Sequence, residues 1–155
     1  MPTQLGKALA FRALHDRPGA FVIPNPWDAG STRLLNAFGF EALATTSAGH
    51  AFALGRQDGG GGIGRAATLA NARAIVEATD LPVSADLENG FGDAPEACAE
   101  TIRAAAAVGL AGGSIEDASG DDARPIYDFA HAVQRVAAAG EGAPTLPIPF
   151  GVPPP

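Results

Sequence analysis

The chain has 155 residues, ten basic and seventeen acidic, for a net charge of −7; 46% are apolar and 17% charged. That length suits one domain with a real core, and the composition is globular rather than disordered. An acid excess without a basic cluster argues against nucleic acid as a partner. No apolar run approaches the roughly 20 residues of a membrane span, and Met1–Arg17 shows no leader pattern, so the expectation is a cytoplasmic protein with no membrane partner.

Residues 4–15 carry apolar side chains at helical spacing until Pro18-Gly19 stops them. Phe21–Pro24 reads as a short strand and Asn25-Pro26-Trp27-Asp28 as the turn after it. Asp28 or Ser31 can cap a helix running to about Phe38, closed by Gly39. Glu41–Thr46 is the second strand, followed by Ser47-Ala48-Gly49. A helix from about Ala66 to Ala78 leads into a third strand, Val83–Asp86. Pro95 fits the first turn of a helix to about Val108. Gly113–Glu116 is a fourth strand, a last helix runs from near Pro125 to about Ala139, and Leu146–Phe150 opens a fifth strand. The single Cys98 cannot form an internal disulfide and reads as small buried filler in an alanine-rich helix.

Alternating strands and helices without Asn-Gly hairpins imply parallel pairing through right-handed crossovers. An open doubly wound sheet and a (β/α)8 barrel both fit. The barrel normally needs about 250 residues, so residues 1–150 would make a half barrel of about four to five βα units. Residues 151–155 are a Pro-rich tail whose prolines cannot continue a central strand.

The carboxylates carry the functional signal. Asp86 and Glu88 end one apolar run and Glu116-Asp117 the next. Acids at the C-terminal ends of successive parallel strands are poor core residues but good metal ligands and catalytic groups. Residues two apart on a strand point to the same side. The alternative is that these acids cap helices or pair with arginines, and for Asp117 that reading has equal weight.

Ser47-Ala48-Gly49 would offer a hydroxyl and backbone N–H groups to an anion. Gly59, Gly61 and Gly64 formally match G-x-G-x-x-G, but that fingerprint must follow a strand directly, and about a dozen residues intervene here. So many glycines better suit a mobile lid or a surface loop. Arg56 could meet an anionic substrate. His15 and His131 lie on helices as structural or exposed residues, and His50 follows Ser47-Ala48-Gly49. Scattered histidines and one cysteine do not make a zinc site.

Asn25-Pro-Trp-Asp28, Ala44-Thr-Thr-Ser-Ala-Gly49, Leu81-Pro-Val-Ser-Ala-Asp-Leu-Glu-Asn-Gly-Phe-Gly92 and Gly113-Ser-Ile-Glu-Asp117 occur in order and at sensible spacing. In these the chain resembles the isocitrate lyase / phosphoenolpyruvate mutase family, from about residue 20 to Phe150. The resemblance implies a TIM-type barrel and an Mg2+-dependent enzyme, with Mn2+ a possible substitute. Such enzymes form or cleave C–C or P–C bonds of small anionic 2-oxo or 2-hydroxy acids or phosphonates, as homo-oligomers. It implies Asp86, Glu88 and Glu116 around the metal, with the Glu88 contact through water, since family members often have Asp there. Asp58, before Gly59, would sit on a gating loop and handle protons with Glu116, and Trp27, Ser47, Ala48 and Gly49 would contact substrate. The reaction would pass through a pyruvate-like enolate, which a hard dication stabilises. No insertion with a reactive Cys follows Glu116-Asp117, which points away from a simple isocitrate lyase. The family's Arg after strand five has no counterpart in Gly151-Val-Pro-Pro-Pro155, so the alternative is an inactive half-barrel remnant that binds metal or a second half.

Overall fold

The computed structural model describes residues 2–59, 62–143 and 149–151. Its centre is a three-stranded sheet, β1 (Leu43–Ala44), β2 (Val83–Asp86) and β3 (Gly112–Ser114), in that spatial order. Both pairings are parallel, with Leu43 opposite Val83 and Asp86 opposite Ser114. Six helices accompany it among the described residues: α1 (Gln4–Asp16), α2 (Ala29–Ala37), α3 (Ser47–Ala53), α4 (Arg65–Glu77), α5 (Pro95–Ala107) and α6 (Phe129–Gly142). Helices α4 and α5 are the crossovers between successive parallel strands, as the alternating pattern requires.

Burial alternates along β2. Val83 and Ala85 are buried, whereas Ser84 and Asp86 are only half-buried. Val83 and Ala85 join a core with Leu43, Ile75, Leu87, Ile102, Leu110 and Phe11, each nearly or wholly removed from solvent. The opposite face, carrying Ser84, Asp86, Ser114 and Glu116, borders a cavity of about 330 Å3. The sheet therefore has one apolar face against helices and one polar face toward open space. Gly113 belongs to this packing: a Cβ there would come within 2.6 Å of Leu87 Cδ1, so a side chain would displace a core residue.

Local chemistry sets the helix ends. Asp28 caps α2, its carboxylate accepting the Ser31 amide at 2.6 Å, and Ser31 Oγ accepts the Asp28 amide in return at 3.1 Å. Pro95 opens α5, where its missing N–H leaves no gap in the hydrogen bonding.

Three expected elements come out differently. Phe21–Pro24 forms no ladder strand; its one backbone bond to β1 is Ala44 N–H to Pro24 O at 3.1 Å. Pro24 and Pro26 have no N–H to return. Ser47-Ala48-Gly49, expected only to follow the second strand, open the short helix α3 over residues 47–53, because Thr46 Oγ1 accepts the Gly49 amide at 3.1 Å. The last helix begins at Phe129 rather than near Pro125. Ile126 is instead engaged in an antiparallel bridge with Ala118, and Asp128 caps the helix through the His131 amide at 3.1 Å.

Most of the expected fifth strand lies outside the described residues. Its end does return to the sheet: Gly151 bridges Gly112 in parallel, with Gly113 N–H to Gly151 O at 2.9 Å and Gly151 N–H to Ala111 O at 3.0 Å. No helix among the described residues is long and apolar enough to cross a membrane.

Ile102 is fully buried on α5. Ile102→Ala should cost about 2–5 kcal/mol, from lost transfer energy plus an unfilled cavity. Urea denaturation should show the midpoint falling with the slope unchanged.

Candidate active site

The strand register gathers the acids. Asp86 is the last paired residue of β2, opposite Ser114, and Glu116 lies two residues beyond Ser114. Past the ladder the two chains stay joined, Leu87 N–H donating to Ser114 O at 3.2 Å and Glu116 N–H to Glu88 O at 2.8 Å. Asp86 is a hub. Its Oδ1 accepts the Glu88 amide at 3.0 Å, its Oδ2 accepts the Ser47 amide at 3.1 Å, and its own amide donates to Thr45 Oγ1 at 3.1 Å. It thereby ties the end of β2 to the start of α3, and each carboxylate oxygen keeps a lone pair for a further partner.

Glu88 takes φ +46°, a left-handed backbone that costs a non-glycine residue of order 1–3 kcal/mol and that surrounding contacts must impose. Phe91, at φ +59°, repeats the strain three residues on.

Glu88, Glu116, Asp58 and Ser47 all line one cleft of about 640 Å3. Asp58 therefore shares a cleft with the strand-end acids Glu88 and Glu116, and Glu116 also borders the second cavity beside Asp86. Burial, and then the charges of Asp86, Asp58 and Glu116, push the Glu88 carboxyl above the usual range. Burial, and then Asp86, Asp58 and Asp117, do the same to Glu116. None of the ion pairs among the described residues uses Asp58, Asp86, Glu88 or Glu116. Pairing with arginines does not explain these acids, although Asp86 does bind the first amide of α3.

Mg2+ uses one or two carboxylates, keeps several waters and demands oxygen donors. An oxygen-only set at a roomy, open cleft fits that mode. It does not fit an all-protein cage: among the described residues, no three His, Cys, Asp or Glu side chains converge on one metal position.

Of the remaining expected residues, Ser47 lines the cleft. The Ser47 and Gly49 amides are already donated, to Asp86 and Thr46, which leaves the Ser47 hydroxyl at the cleft and Ala48 between them in α3. Gly49 is needed for close approach, since a Cβ there would lie 2.6 Å from Thr46 Cγ2 and 3.1 Å from Trp27 Cβ. Trp27 is 47% exposed, so it is no core plug. Gly61 of the dinucleotide-like pattern lies outside the described residues. His15 is wedged edge-on between Phe11 and Phe21, and Cys98 is wholly buried, with burial pushing its thiol up.

Two groups escaped the sequence reading. Asn89 lines the cleft, its side-chain NH2 donating to Tyr127 Oη at 3.3 Å. Arg135 is only 1% exposed and bonds the carbonyls of Asn89, Gly92 and Asp93. The available signal was its spacing with Ala139 and Gly142, the other buried positions of α6.

The sequence profile of the phosphoenolpyruvate phosphomutase family matches residues 11–152. The structure resembles that of a candidate lyase/mutase from Burkholderia cenocepacia, with 60% identity and a TM-score of 0.93 over 96% of this chain and 52% of that one. It also resembles oxaloacetate acetylhydrolase in complex with oxalate, at 25% identity and a TM-score of 0.87 over 97% and 53% of the two chains. In sequence it is 31% identical to 2,3-dimethylmalate lyase of Eubacterium barkeri over 113 residues, 73% of this chain and 39% of that protein. The chain spans about half the length of the curated relatives it matches first. The α/β fold, with its parallel sheet and crossover helices, accordingly matches that of the phosphoenolpyruvate mutase/isocitrate lyase superfamily, a TIM-type barrel, and the three strands are consistent with part of such a barrel.

A raised folded-state pKa means the native protein holds its proton more tightly than the unfolded chain. Stability therefore falls as pH climbs from the ordinary glutamate value of about 4.3 through the raised folded value, then levels off. Glu116→Gln should resist urea better than wild type at about pH 7 and lose that advantage near pH 4. Equal stability of the two at neutral pH would contradict the crowding of acids described above.

Proposed function

The chain belongs to the phosphoenolpyruvate phosphomutase family, and we propose that it carries the metal-binding side of a lyase or mutase site. The substrate class is a small 2-oxo or 2-hydroxy acid or a phosphonate, with a C–C or P–C bond made or broken beside a carbonyl. The observation that carries this reading is the gathering of Asp58, Glu88 and Glu116 on one cleft, with Asp86 bonded to the Ser47 and Glu88 amides beside them and, among the described residues, no arginine ion-paired with any of the four.

Asp86, Glu88 and Glu116 would hold Mg2+, or Mn2+ in its place, directly or through water. Such an ion supplies positive charge to an enolate oxygen and its neighbouring carboxylate. The protein's own part is orientation and proton traffic. The Ser47 hydroxyl, with Ala48, Gly49 and Trp27 behind it, would fix the anionic end of the substrate. Asp58 lines the cleft from the loop between α3 and α4, where it would take or give a proton while that loop excludes water. Glu116, with its raised affinity for a proton, is suited to share that role. Named relatives that cleave dimethylmalate or bind oxalate support the substrate class. We place the protein in the cytoplasm and as a homo-oligomer; large exposed apolar side chains such as Phe38, Phe52 and Phe129 support the association alone.

The first test is Mn2+ binding with and without oxalate, a planar dianion resembling the pyruvate enolate. Saturable binding, tightened by oxalate and lost in Asp86→Asn, is expected; a folded chain that binds no Mn2+ would refute the reading. Once a substrate is found, Asp58→Asn should lower kcat about 100-fold or more and leave Mn2+ affinity unchanged. Metal binding without turnover of any tested acid would instead indicate a binding module.

A further inference from the structure

Arg135 carries its charge into the interior without an acid to meet it. The side chain is 1% exposed, and no carboxylate forms an ion pair with it among the described residues. Its guanidinium instead spends its donors on one short loop. Nη1 bonds Gly92 O at 2.6 Å and Asp93 O, and Nη2 bonds Asn89 O. The guanidinium carbon lies 4.2 Å from the centre of the Tyr127 ring, and Nε has no hydrogen-bond partner among the described residues. Tyr127 holds the same loop from outside, its hydroxyl donating to Asp93 Oδ1 at 2.6 Å and accepting from Asn89 Nδ2 at 3.3 Å.

That loop, residues 89–93, directly follows Glu88. Two further contacts tie it: Thr101 Oγ1 donates to Gly90 O at 2.8 Å, and His131 Nε2 lies 2.9 Å from Asp93 O, which Arg135 also bonds. Glu88 and Phe91 sit at positive φ, so the segment is held in a conformation that free chain would avoid. Glu88 O in turn receives the Glu116 amide. A planar fork with fixed donor directions can bridge three carbonyls, whereas an ammonium is a point charge on a flexible stem.

We propose that Arg135, seated on Tyr127, is a positioning residue. The pair clamps the loop after β2 so that the backbone of Glu88 stays locked to the Glu116 amide and the two carboxylates stay at one cleft. The metal-binding consequence rests on the reading in the preceding subsection; the clamp itself does not.

Two readouts separate these. In full-length Arg135→Lys we expect native circular dichroism, an Mn2+ affinity in the presence of oxalate weakened about 10- to 100-fold, as for other partners that orient metal ligands, and at least tenfold faster exchange of the Glu116 amide. Tyr127→Leu, at a partly exposed position, should change both in the same direction and serves if the lysine variant does not fold. Folded variants with wild-type Mn2+ affinity and wild-type Glu116 protection would overturn the inference. Should wild type bind no Mn2+ while Arg135→Lys still deprotects the Glu116 amide, the clamp stands and the metal reading fails.

Discussion

The parallel register of β2 against β3 is the constraint on which the site depends. It places Asp86 opposite Ser114 and so brings Glu116 to the same sheet end. The bond from the Glu116 amide to Glu88 O then carries the pairing one step past the ladder. A slip of one residue would turn each strand's small polar residues toward the helices and its apolar ones toward the cavity. The buried pair Val83 and Ala85 opposes that slip, so the core that stabilises the sheet also fixes where the acids emerge.

The acids work against the fold that holds them. Like charges 4 Å apart repel by about 4 kcal/mol at an effective dielectric of 20, and far less in open water. Burial first, and then this repulsion, raises the pKa of both Glu88 and Glu116. The strained backbone of Glu88 adds to the cost. What offsets these terms lies elsewhere, in the wholly buried Leu43, Ile75, Leu87, Ile102 and Leu110 and in amides already committed to Asp86. A site that is locally unfavourable and globally supported has the expected signature of function.

Much of this was legible in the sequence, and what was not has physical causes. Val83–Asp86 matched its expected bounds because an apolar run closed by Asp and bounded by Pro82 has few other readings. The start of α5 followed from Pro95. Helix α3 was missed because seven residues are too few for a periodic signal, and its start depends on one threonine hydroxyl. The start of α6 was misread because proline marks a first helical turn only when nothing else claims the segment, and here Ile126 pairs with Ala118. Asp58 could be placed at the cleft only through the family resemblance, since a glycine-rich loop has no pattern that sets its direction. Arg135 was out of reach, because its partners lie more than forty residues back along the chain and are backbone carbonyls, which any sequence supplies.

The placement of Arg135 also bears on why the acids remain available. A buried cation would ordinarily pair with a carboxylate. Here the guanidinium's directed donors meet carbonyl oxygens and its face meets the Tyr127 ring. Its charge is thus satisfied locally by dipoles and a π-system, and no carboxylate is neutralised. Arg65, which also lines the cleft, is turned to Glu100 at 3.5 Å and to Thr101. Both cations are held by partners outside the acid set. None of the four carboxylates is therefore ion-paired among the described residues, and the proposed divalent cation would relieve their mutual repulsion.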